Sequence, residues 1–498
     1  MSYVSLGINI LSGLIYTPWM ISSIGQDNYG LYTLAMSVIS LFVFDFGLSS
    51  AVTRFLSKHL AEGRQDKADQ CLGLVYRLYL YIDIFFIIIL SAVYFFIPQI
   101  YRELSAEEIE SFKVIYVIAA LFTIISFPFI PINGILTANE KFVQLKTSEV
   151  IHKLLIVASM TICLLMGYGL YALVIVNALS GVATILLKLW FIKKYTRTQV
   201  LFGYRDRLQF REIIGFSVWA TVIAICQRMI FTIAPTILGI FAGSIPIAIF
   251  GIANTIEGYV FSFSNALSGM FLPRVSRVVS RDGGDVMPLM IKIGRIQLYV
   301  VGAVVMGFIC VGKEFISLWV GDSFLESYYC TILLIIPSIF QLPQEIGMQT
   351  IIAENKVKQQ ATVWVLVATV NIALSFLMTW LYGVMGLCFS ICISFFVRTI
   401  GMDVIFKREL HIDVLKFFRE TFIKIGLMIL AVTILSSFVN KLLLGDGMLM
   451  FIIKAMLFGV LYVIGFIVVA NEEERTLVKQ TVLTLRNKII SSKYNRLT

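Results

Sequence analysis

The sequence has little charge. Asp, Glu, Lys and Arg together make up only 14% of its 498 residues, whereas 59% are hydrophobic and the mean hydropathy is +0.90. A water-soluble domain cannot bury that much apolar surface, so the composition excludes the soluble classes of protein. We therefore expect an all-α polytopic membrane protein, with lipid around most of the chain.

The residues that build metal sites, disulfides and nucleotide loops are also scarce. There are three histidines, and the seven cysteines form no CxxC pair, which favours buried thiols over disulfides or a metal site. The phosphate-loop lookalike GFICVGKEF (307–315) lacks a Ser or Thr after Gly-Lys and lies in an apolar run. No loop is longer than about 25 residues. The sequence thus predicts neither an enzyme nor a cofactor.

Apolar runs long enough to cross a membrane fill most of the chain. A transmembrane helix needs about 20 apolar residues. We count fourteen such spans, at 4–24, 30–53, 78–98, 114–136, 149–166, 169–191, 213–242, 246–272, 293–312, 328–352, 361–381, 384–406, 423–440 and 447–470.

The distribution of Lys and Arg predicts the orientation. With the N-terminus in the cytoplasm, 31 of the 40 basic residues lie in cytoplasmic segments or at span edges, and four lie on the outer side. This asymmetry follows the positive-inside rule, so we expect both termini in the cytoplasm. The net charge of +10 then matches anionic membrane lipids rather than nucleic acid. Because the first basic residue is Arg54, a cleavable signal peptide is not expected.

The two halves of the sequence resemble each other at an offset of 214 to 220 residues. The nine-residue spacing from Asp45 to Arg54 recurs from Asn265 to Arg274. Three further pairs of stretches match: TPWMISSIG (17–25) with APTILGIFAG (234–243), ILTANEK (135–141) with TIIAENK (350–356), and YGLYALVIVNALS (168–180) with YGVMGLCFSICIS (382–394). Six spans per repeat is an even number, which predicts two parallel six-helix repeats about an axis along the membrane normal.

This repeat predicts the domain organisation, with a substrate site between the two halves. We expect an N-terminal six-helix bundle, a basic cytoplasmic linker, a C-terminal six-helix bundle, two additional helices and a basic cytoplasmic tail, over residues 1–192, 193–212, 213–406, 407–470 and 471–498.

Three stretches carry a resemblance to a known family. IGQDNYGLY (24–32), FDFGLSSAVTRFLSKH (44–59) and FLPRVSR (271–277) resemble the O-antigen-type polysaccharide flippases of the multidrug/oligosaccharidyl-lipid/polysaccharide (MOP) exporter superfamily. The resemblance implies transport of a polyprenyl-pyrophosphate-linked oligosaccharide across the bacterial cytoplasmic (inner) membrane. It also implies a role in surface polysaccharide synthesis, for lipopolysaccharide, capsule or exopolysaccharide, beside a polysaccharide polymerase and chain-length machinery.

Two charged residues lie near the middle of their spans, where an ionisable group is a functional hypothesis by default. Arg228 is about 15 residues from either end of its span, and Glu257 is at a comparable depth in the next one. One interpretation is a structural ion pair between them. The other places Arg228 on a cavity wall, where it binds pyrophosphate, with Glu257 in ion coupling or gating.

Other charged residues lie nearer the cytoplasmic ends of their spans. Topology alone explains Arg54 and Arg274, but their recurrence in both halves suggests a pair of guanidiniums that bind phosphate oxygens at the cytoplasmic mouth. Lys153 and Arg398 could extend this basic path. Asp45 is a candidate coupling carboxyl, although its neutral counterpart Asn265 equally allows a structural role.

Two other functions stay open at this point. A cation-coupled multidrug antiporter of the same superfamily would bind cations in an acidic cavity, whereas several deep residues here are basic. A membrane glycan polymerase would devote a large outer loop to sugar chemistry, and the longest outer segment, 98–113, is short and acidic.

Overall fold

The computed structural model describes residues 2–42, 48–202, 207–268, 286–354, 356–443, 445 and 447–476. All regular elements in these ranges are helices, and no strand occurs in them. All seven cysteines lie within them as free thiols, five of them buried and Cys163 and Cys310 half-buried.

The described residues before 269 contain eleven α-helices. They are α1 (Ser2–Ile24), α2 (Gln26–Phe42), α3 (Leu48–Ala61), α4 (Gln65–Ile100), α5 (Ala106–Ser126), α6 (Ile132–Ala138), α7 (Phe142–Leu165), α8 (Leu170–Tyr195), α9 (Arg207–Phe231), α10 (Ala234–Phe241) and α11 (Ser244–Ser268).

Seven more follow in the described part of the chain after residue 285. They are α12 (Met287–Val320), α13 (Glu326–Ile335), α14 (Ser338–Gln341), α15 (Glu345–Ala353), α16 (Val357–Glu409), α17 (Val414–Leu442) and α18 (Met448–Val469). The element α16 is two helices joined at a kink, where Gly383 has φ 58° and ψ −137°.

Eleven helical stretches of the described residues are long and apolar enough to cross a membrane. They cover twelve of the fourteen predicted spans, because α16 contains two. The remaining two predicted spans correspond to α1 and to α2 with α3. This confirms a multi-pass membrane protein of about fourteen transmembrane helices.

Prolines break several of these spans into shorter helices. A proline has no N–H for the carbonyl four residues earlier and its ring clashes there, so a helix ends or kinks near it. The span 106–138 is interrupted by a 3₁₀ turn that contains Pro128, and 326–352 is interrupted at Pro337 and Pro343. Pro235 lies at the start of α10, directly after α9 ends. Hydropathy therefore located these spans but not their interruptions.

One of the matched stretches has the same backbone conformation in both halves. Gly25 follows α1 with φ 83°, and Gly243 follows α10 with φ 85°. Positive φ is the region that glycine adopts at little cost, and helices commonly end on such a residue. The glycines of TPWMISSIG and APTILGIFAG thus end their helices in the same way, which agrees with the predicted repeat at this position.

The described residues group into two compact units. Those within 1–266, 319–334 and 355–405 form the first unit, and those within 267–318, 335–354 and 406–498 form the second. The first unit therefore takes residues from both predicted bundles. The two six-helix bundles themselves, and the position of the last two helices relative to them, stay predictions.

In the second unit, α17 and α18 pack against the glycine-bearing face of α12. Gly302 faces α17, and Gly307 faces the ring of Phe458 on α18. The Tyr462 hydroxyl of α18 donates a hydrogen bond of 2.7 Å to the carbonyl oxygen of Tyr299. Small residues let helices approach closely in a membrane, where packing rather than water exclusion holds them together.

Candidate functional site

A cavity of about 300 Å³ lies in the first unit, among α2, α11 and the junction of α9 and α10. This volume is at the lower end of the usual range for ligand pockets. Its walls come from the predicted span 30–53 in the first half of the sequence and from the predicted spans 213–242 and 246–272 in the second half. Both predicted repeats thus contribute to it.

One face of α2 forms the first wall. The lining residues of this helix recur at intervals of three and four, which places them in one stripe along it: Tyr29, Tyr32, Thr33, Met36, Ser37 and Ser40. Two phenol rings and three small hydroxyl side chains therefore share a single helix face.

The second wall comes from α11 and from the break between α9 and α10. Gly251, Asn254 and Thr255 line the cavity from one side of α11. Thr232 lies between the end of α9 and the start of α10, and Pro235 lies just beyond it. Irregular backbone at membrane depth is tolerated where it lines a cavity, and this break does so.

The stretch IGQDNYGLY is explained by this site. It supplies Tyr29 and Tyr32 to the cavity wall. Gly30 lets α2 approach the first turn of α11, because a Cβ at this position would overlap the carbonyl group of Ser244. The Ser244 hydroxyl donates to Asp27 across 3.3 Å, which fixes the same approach. The family-like motif thus builds the α2–α11 wall of the cavity.

Arg228 lies at the edge of this cavity. It is half-buried on α9, one turn before the lining residue Thr232, whose N–H donates to the carbonyl oxygen of Arg228 across 2.9 Å. Its guanidinium donates to the carbonyl oxygen of Ser40, also a lining residue. This contact holds the arginine side chain against the α2 wall.

Glu257 is half-buried on α11, three residues after the lining residue Asn254. The ion pairs among the described residues do not include one between Glu257 and Arg228. The roles predicted for these two residues stay predictions.

The structure does not bring the other predicted residues together at this cavity. Arg54 is exposed on α3, with its guanidinium carbon 5.9 Å from the ring centre of Phe55. Lys153 is half-buried on α7. Arg398 is half-buried on α16, with its guanidinium carbon 5.0 Å from the ring centre of buried Trp364.

Asp45 and Arg274 lie outside the described residues. The predicted roles of both therefore stay predictions, together with those of Arg54, Lys153 and Arg398.

The chemistry of the lining suits an uncharged, hydroxylated ligand. Its described residues offer hydroxyl and amide groups for hydrogen bonds and aromatic rings for apolar contact, and none carries a carboxylate. The Tyr32 hydroxyl accepts a hydrogen bond of 3.4 Å from the Asn177 side chain on α8. Together with Arg228, the cavity offers a neutral polar region beside a cation.

Sequence reasoning missed the lining residues apart from the motif that contains two of them. They are ordinary Tyr, Ser, Thr and Asn residues on apolar helices, and only the fold brings α2 beside α11. The available signal was periodicity, because the polar residues of 29–40 recur on one helical face.

Comparisons with known proteins agree with this fold. The profile of the polysaccharide biosynthesis protein family matches residues 2–279, more than half of the chain. A search of curated proteins by sequence found no match.

Among solved structures, the chain is similar to the lipid II flippase MurJ in an inward closed conformation. The TM-score is 0.69, with 15% identity over 93% of this chain and 97% of that one. It is also similar to an inward-facing multidrug resistance MATE family transporter of the MOP superfamily, with a TM-score of 0.62, 15% identity and coverage of 82% and 96%.

A third similar structure is a MOP superfamily transporter from Pyrococcus furiosus, described as having a binding pocket of reverse polarity. Its TM-score is 0.57, at 13% identity over 80% of this chain and 91% of that one. At these identities the likeness shows the fold alone, whereas the profile match shows the family. The chain belongs to the polysaccharide biosynthesis protein family and has the fold of MOP superfamily transporters.

Proposed function

We propose that this protein is a flippase that moves a polyprenyl-pyrophosphate-linked oligosaccharide from the cytoplasmic to the outer leaflet of the bacterial cytoplasmic membrane. The product would serve surface polysaccharide synthesis, as O-antigen, capsule or exopolysaccharide. The observation that carries the proposal is the contact of Arg228 with Ser40, which places this arginine of a predicted span at the edge of a neutral, hydroxyl-rich cavity.

The two parts of this site fit the two parts of such a substrate. A guanidinium binds phosphate oxygens through a planar pair of N–H donors, so Arg228 is suited to the pyrophosphate. The tyrosines, hydroxyl groups and Asn254 of the cavity suit a sugar ring, which presents both an apolar face and hydroxyl groups. In this proposal Arg54, Arg274, Lys153 and Arg398 form a basic entry path from the cytoplasm.

The comparisons support this proposal at a coarse level. The family is one of polysaccharide biosynthesis, and a similar structure is a flippase of lipid II. The membrane topology has both termini in the cytoplasm, as the Lys and Arg distribution favours. A polysaccharide polymerase and chain-length machinery would be the partners that receive the flipped product.

A cation-coupled multidrug antiporter is the second candidate. Glu257, half-buried within a turn of the cavity residue Asn254, favours it, and the MATE structures share the fold. An antiporter would use Glu257, and Asp45 as well, to bind cations. A flippase would depend mainly on Arg228, and this difference allows a direct test.

The test is a reconstituted flipping assay. The purified protein is placed in liposomes with a fluorescent polyprenyl-pyrophosphate disaccharide, and the fraction reaching the other leaflet is measured by quenching. We expect Arg228→Ala to lower the flipping rate about 10- to 150-fold, with Arg102→Ala, an exposed arginine, as the matched control. Normal flipping by Arg228→Ala would contradict the proposal. Failure of the disaccharide to move, together with Glu257-dependent export of a cationic dye, would favour the antiporter.

A further inference from the structure

The segment that follows α8 is held against α4. This linker segment, residues 196–202, lies within the basic stretch 193–212 predicted to join the two halves of the chain. A cytoplasmic linker of this composition would ordinarily be a flexible tether. Here four of its seven residues form specific hydrogen bonds with α4 and with the end of α6, at residues 198, 199, 201 and 202.

A buried carboxylate on α4 makes the first contact. Asp69 is only 8% exposed, and its side chain accepts a hydrogen bond of 2.9 Å from the N–H of Gln199. Gln65, one turn earlier on α4, donates to the same carboxylate oxygen across 3.0 Å. The carbonyl oxygen of Asp69 accepts from the N–H of Leu201 across 3.3 Å. A buried carboxylate such as that of Asp69 is removed from water, so losing its hydrogen bonds while it stays buried is costly.

The face of α4 that carries Asp69 continues the contact along the helix. Gly73 and Arg77 follow at intervals of four residues and therefore lie on the same face. A Cβ at Gly73 would overlap the carbonyl group of Leu201, so only glycine admits the linker backbone here. The Arg77 guanidinium donates to the carbonyl oxygen of Phe202. These three positions contact backbone atoms of the linker, so this part of the docking does not involve the linker's side chains.

Two more contacts fix the segment from its sides. The Phe202 ring packs edge-on against Tyr76, with 6.4 Å between ring centres. The Asn139 side chain, at the end of α6, donates to the Thr198 hydroxyl across 3.2 Å. Asn139 belongs to the stretch ILTANEK, whose match in the second half had suggested the repeat. The linker segment is thus bound to two elements of the first half, α4 and the end of α6.

We propose that the linker segment is a permanent anchor, which stays docked on α4 while the protein changes conformation. The chain entering α9, the helix of Arg228, is then tied to α4 a few residues before the helix begins. Movement at the start of α9 is transmitted to α4, and the linker is not a loose connection. The transport part of this inference rests on the proposed flippase function, whereas the docking itself does not.

The first arm of the test measures docking without any transport. In inside-out membrane vesicles, a membrane-impermeant maleimide labels Thr198→Cys, and the rate is compared between backgrounds. We expect Gly73→Val to raise the labelling rate by about tenfold or more, since the docked backbone cannot accommodate a side chain at that position. The matched control is Gly426→Val, at a helical position where a Cβ meets nothing within 4 Å, which should leave the rate unchanged.

If Gly73→Val does not fold, substitutions of Asp69 allow the same measurement of the Thr198→Cys labelling rate. We expect Asp69→Ala to raise the rate of Thr198→Cys labelling as well, and Asp69→Asn, which retains the accepting oxygen, to raise it much less. Equal labelling in the wild-type, Gly73→Val and Asp69→Ala backgrounds would overturn the anchor.

The second arm asks whether the segment must leave α4 during transport. A disulfide between Asn139→Cys and Thr198→Cys, formed with an oxidant and confirmed by mass spectrometry, locks the contact. We expect the oxidised and reduced proteins to flip the fluorescent disaccharide lipid at the same rate. Loss of flipping on oxidation, regained on reduction, would overturn the proposal. If the wild-type protein moves no lipid, the proposed function fails, and the labelling arm decides the anchor alone.

Discussion

Two arginines on long helices, one in each unit, differ in the groups that their guanidiniums contact. Arg295 of the second unit is 6% exposed and binds both carboxylate oxygens of Glu474, at 2.5 and 3.0 Å. Its remaining nitrogen donates to the carbonyl oxygen of Glu420 across 3.0 Å. Arg228 in the first unit donates to the backbone carbonyl of Ser40, at the wall of the cavity. A neutral carbonyl positions a guanidinium without cancelling its charge, whereas a carboxylate does both.

The two arginines also differ in their surroundings, which are packed helices for Arg295 and a cavity for Arg228. Arg295 joins α12 to α17 and to the residues that follow α18, so its contacts hold helices together. Arg228 borders a cavity. We therefore expect substitutions at Arg295 to change stability and substitutions at Arg228 to change transport.

The largest expected effect is loss of stability in Arg295→Ala. The change leaves the buried Glu474 carboxylate without its partner, and breaking a buried pair in this way costs about 3–5 kcal/mol. Thermal unfolding in detergent, followed by fluorescence-detected size-exclusion chromatography, would measure it. The double variant Arg295→Met, Glu474→Leu should regain most of the loss, because it removes both charges. An Arg295→Ala protein as stable as the wild type would end the structural interpretation.

Arg228→Ala should show the opposite pattern. Charge-assisted hydrogen bonds to a diphosphate contribute roughly 1.5–3 kcal/mol, so the flipping rate should fall about 10- to 150-fold while the unfolding temperature changes little. Arg228→Lys should be intermediate, since an ammonium keeps the charge but not the planar fork. A large loss of stability with unchanged transport per folded molecule would make Arg228 structural, like Arg295.

Gly30→Ala should show that the cavity region also depends on packing. Because a Cβ there would overlap the backbone carbonyl of Ser244, α2 and α11 must separate, at a cost of about 1–3 kcal/mol. Gly426→Ala is the matched control, and the higher helix propensity of alanine should stabilise it by up to about 1 kcal/mol. Equal unfolding temperatures for the two variants would contradict the close approach.

The smallest expected effect is at the exposed ion pair beside Arg295. Lys292 donates to Glu473 across 2.6 Å, and this hydrogen bond and charge lower the pKa of Glu473. A carboxyl group whose pKa is lower in the folded state stabilises the folded protein at pH values above its usual pKa. This contribution is lost as the pH falls through the lowered pKa. Because both side chains meet water, Lys292→Met should leave the unfolding temperature at neutral pH unchanged within error. A clear decrease in the unfolding temperature of Lys292→Met would mean that the Arg295–Glu474 pair contributes a smaller share of the stability of this region than we infer.

Much of the fold is predictable from the sequence because lipid leaves few choices. A run such as 447–470 can only be a helix across the bilayer, and α18 occupies Met448–Val469. The same reasoning placed Arg228 at mid-membrane. The breaks at Pro235 and Pro337 were visible as residues, but the hydropathy of a window does not register them.

Long-range pairings could not be predicted in this way. Nothing local to Arg295 or Glu474 indicates the other, which is 179 residues away. The docking of the linker on Gly73 and the approach of Gly30 to Ser244 depend on helices that only the fold brings together. Each of these glycines looks in the sequence like any other glycine in an apolar helix.

The separation between Arg295 and Glu474 has a consequence for biogenesis. At translation rates of about 5–20 residues per second, roughly 10 to 35 s pass between the synthesis of Arg295 and that of its partner. Until α17 and α18 have been synthesised, the glycine face and the guanidinium of α12 lack the contacts that these two helices supply. A chain that stops before residue 406 therefore exposes a surface on which membrane proteases and insertion chaperones can act, whereas a finished chain does not.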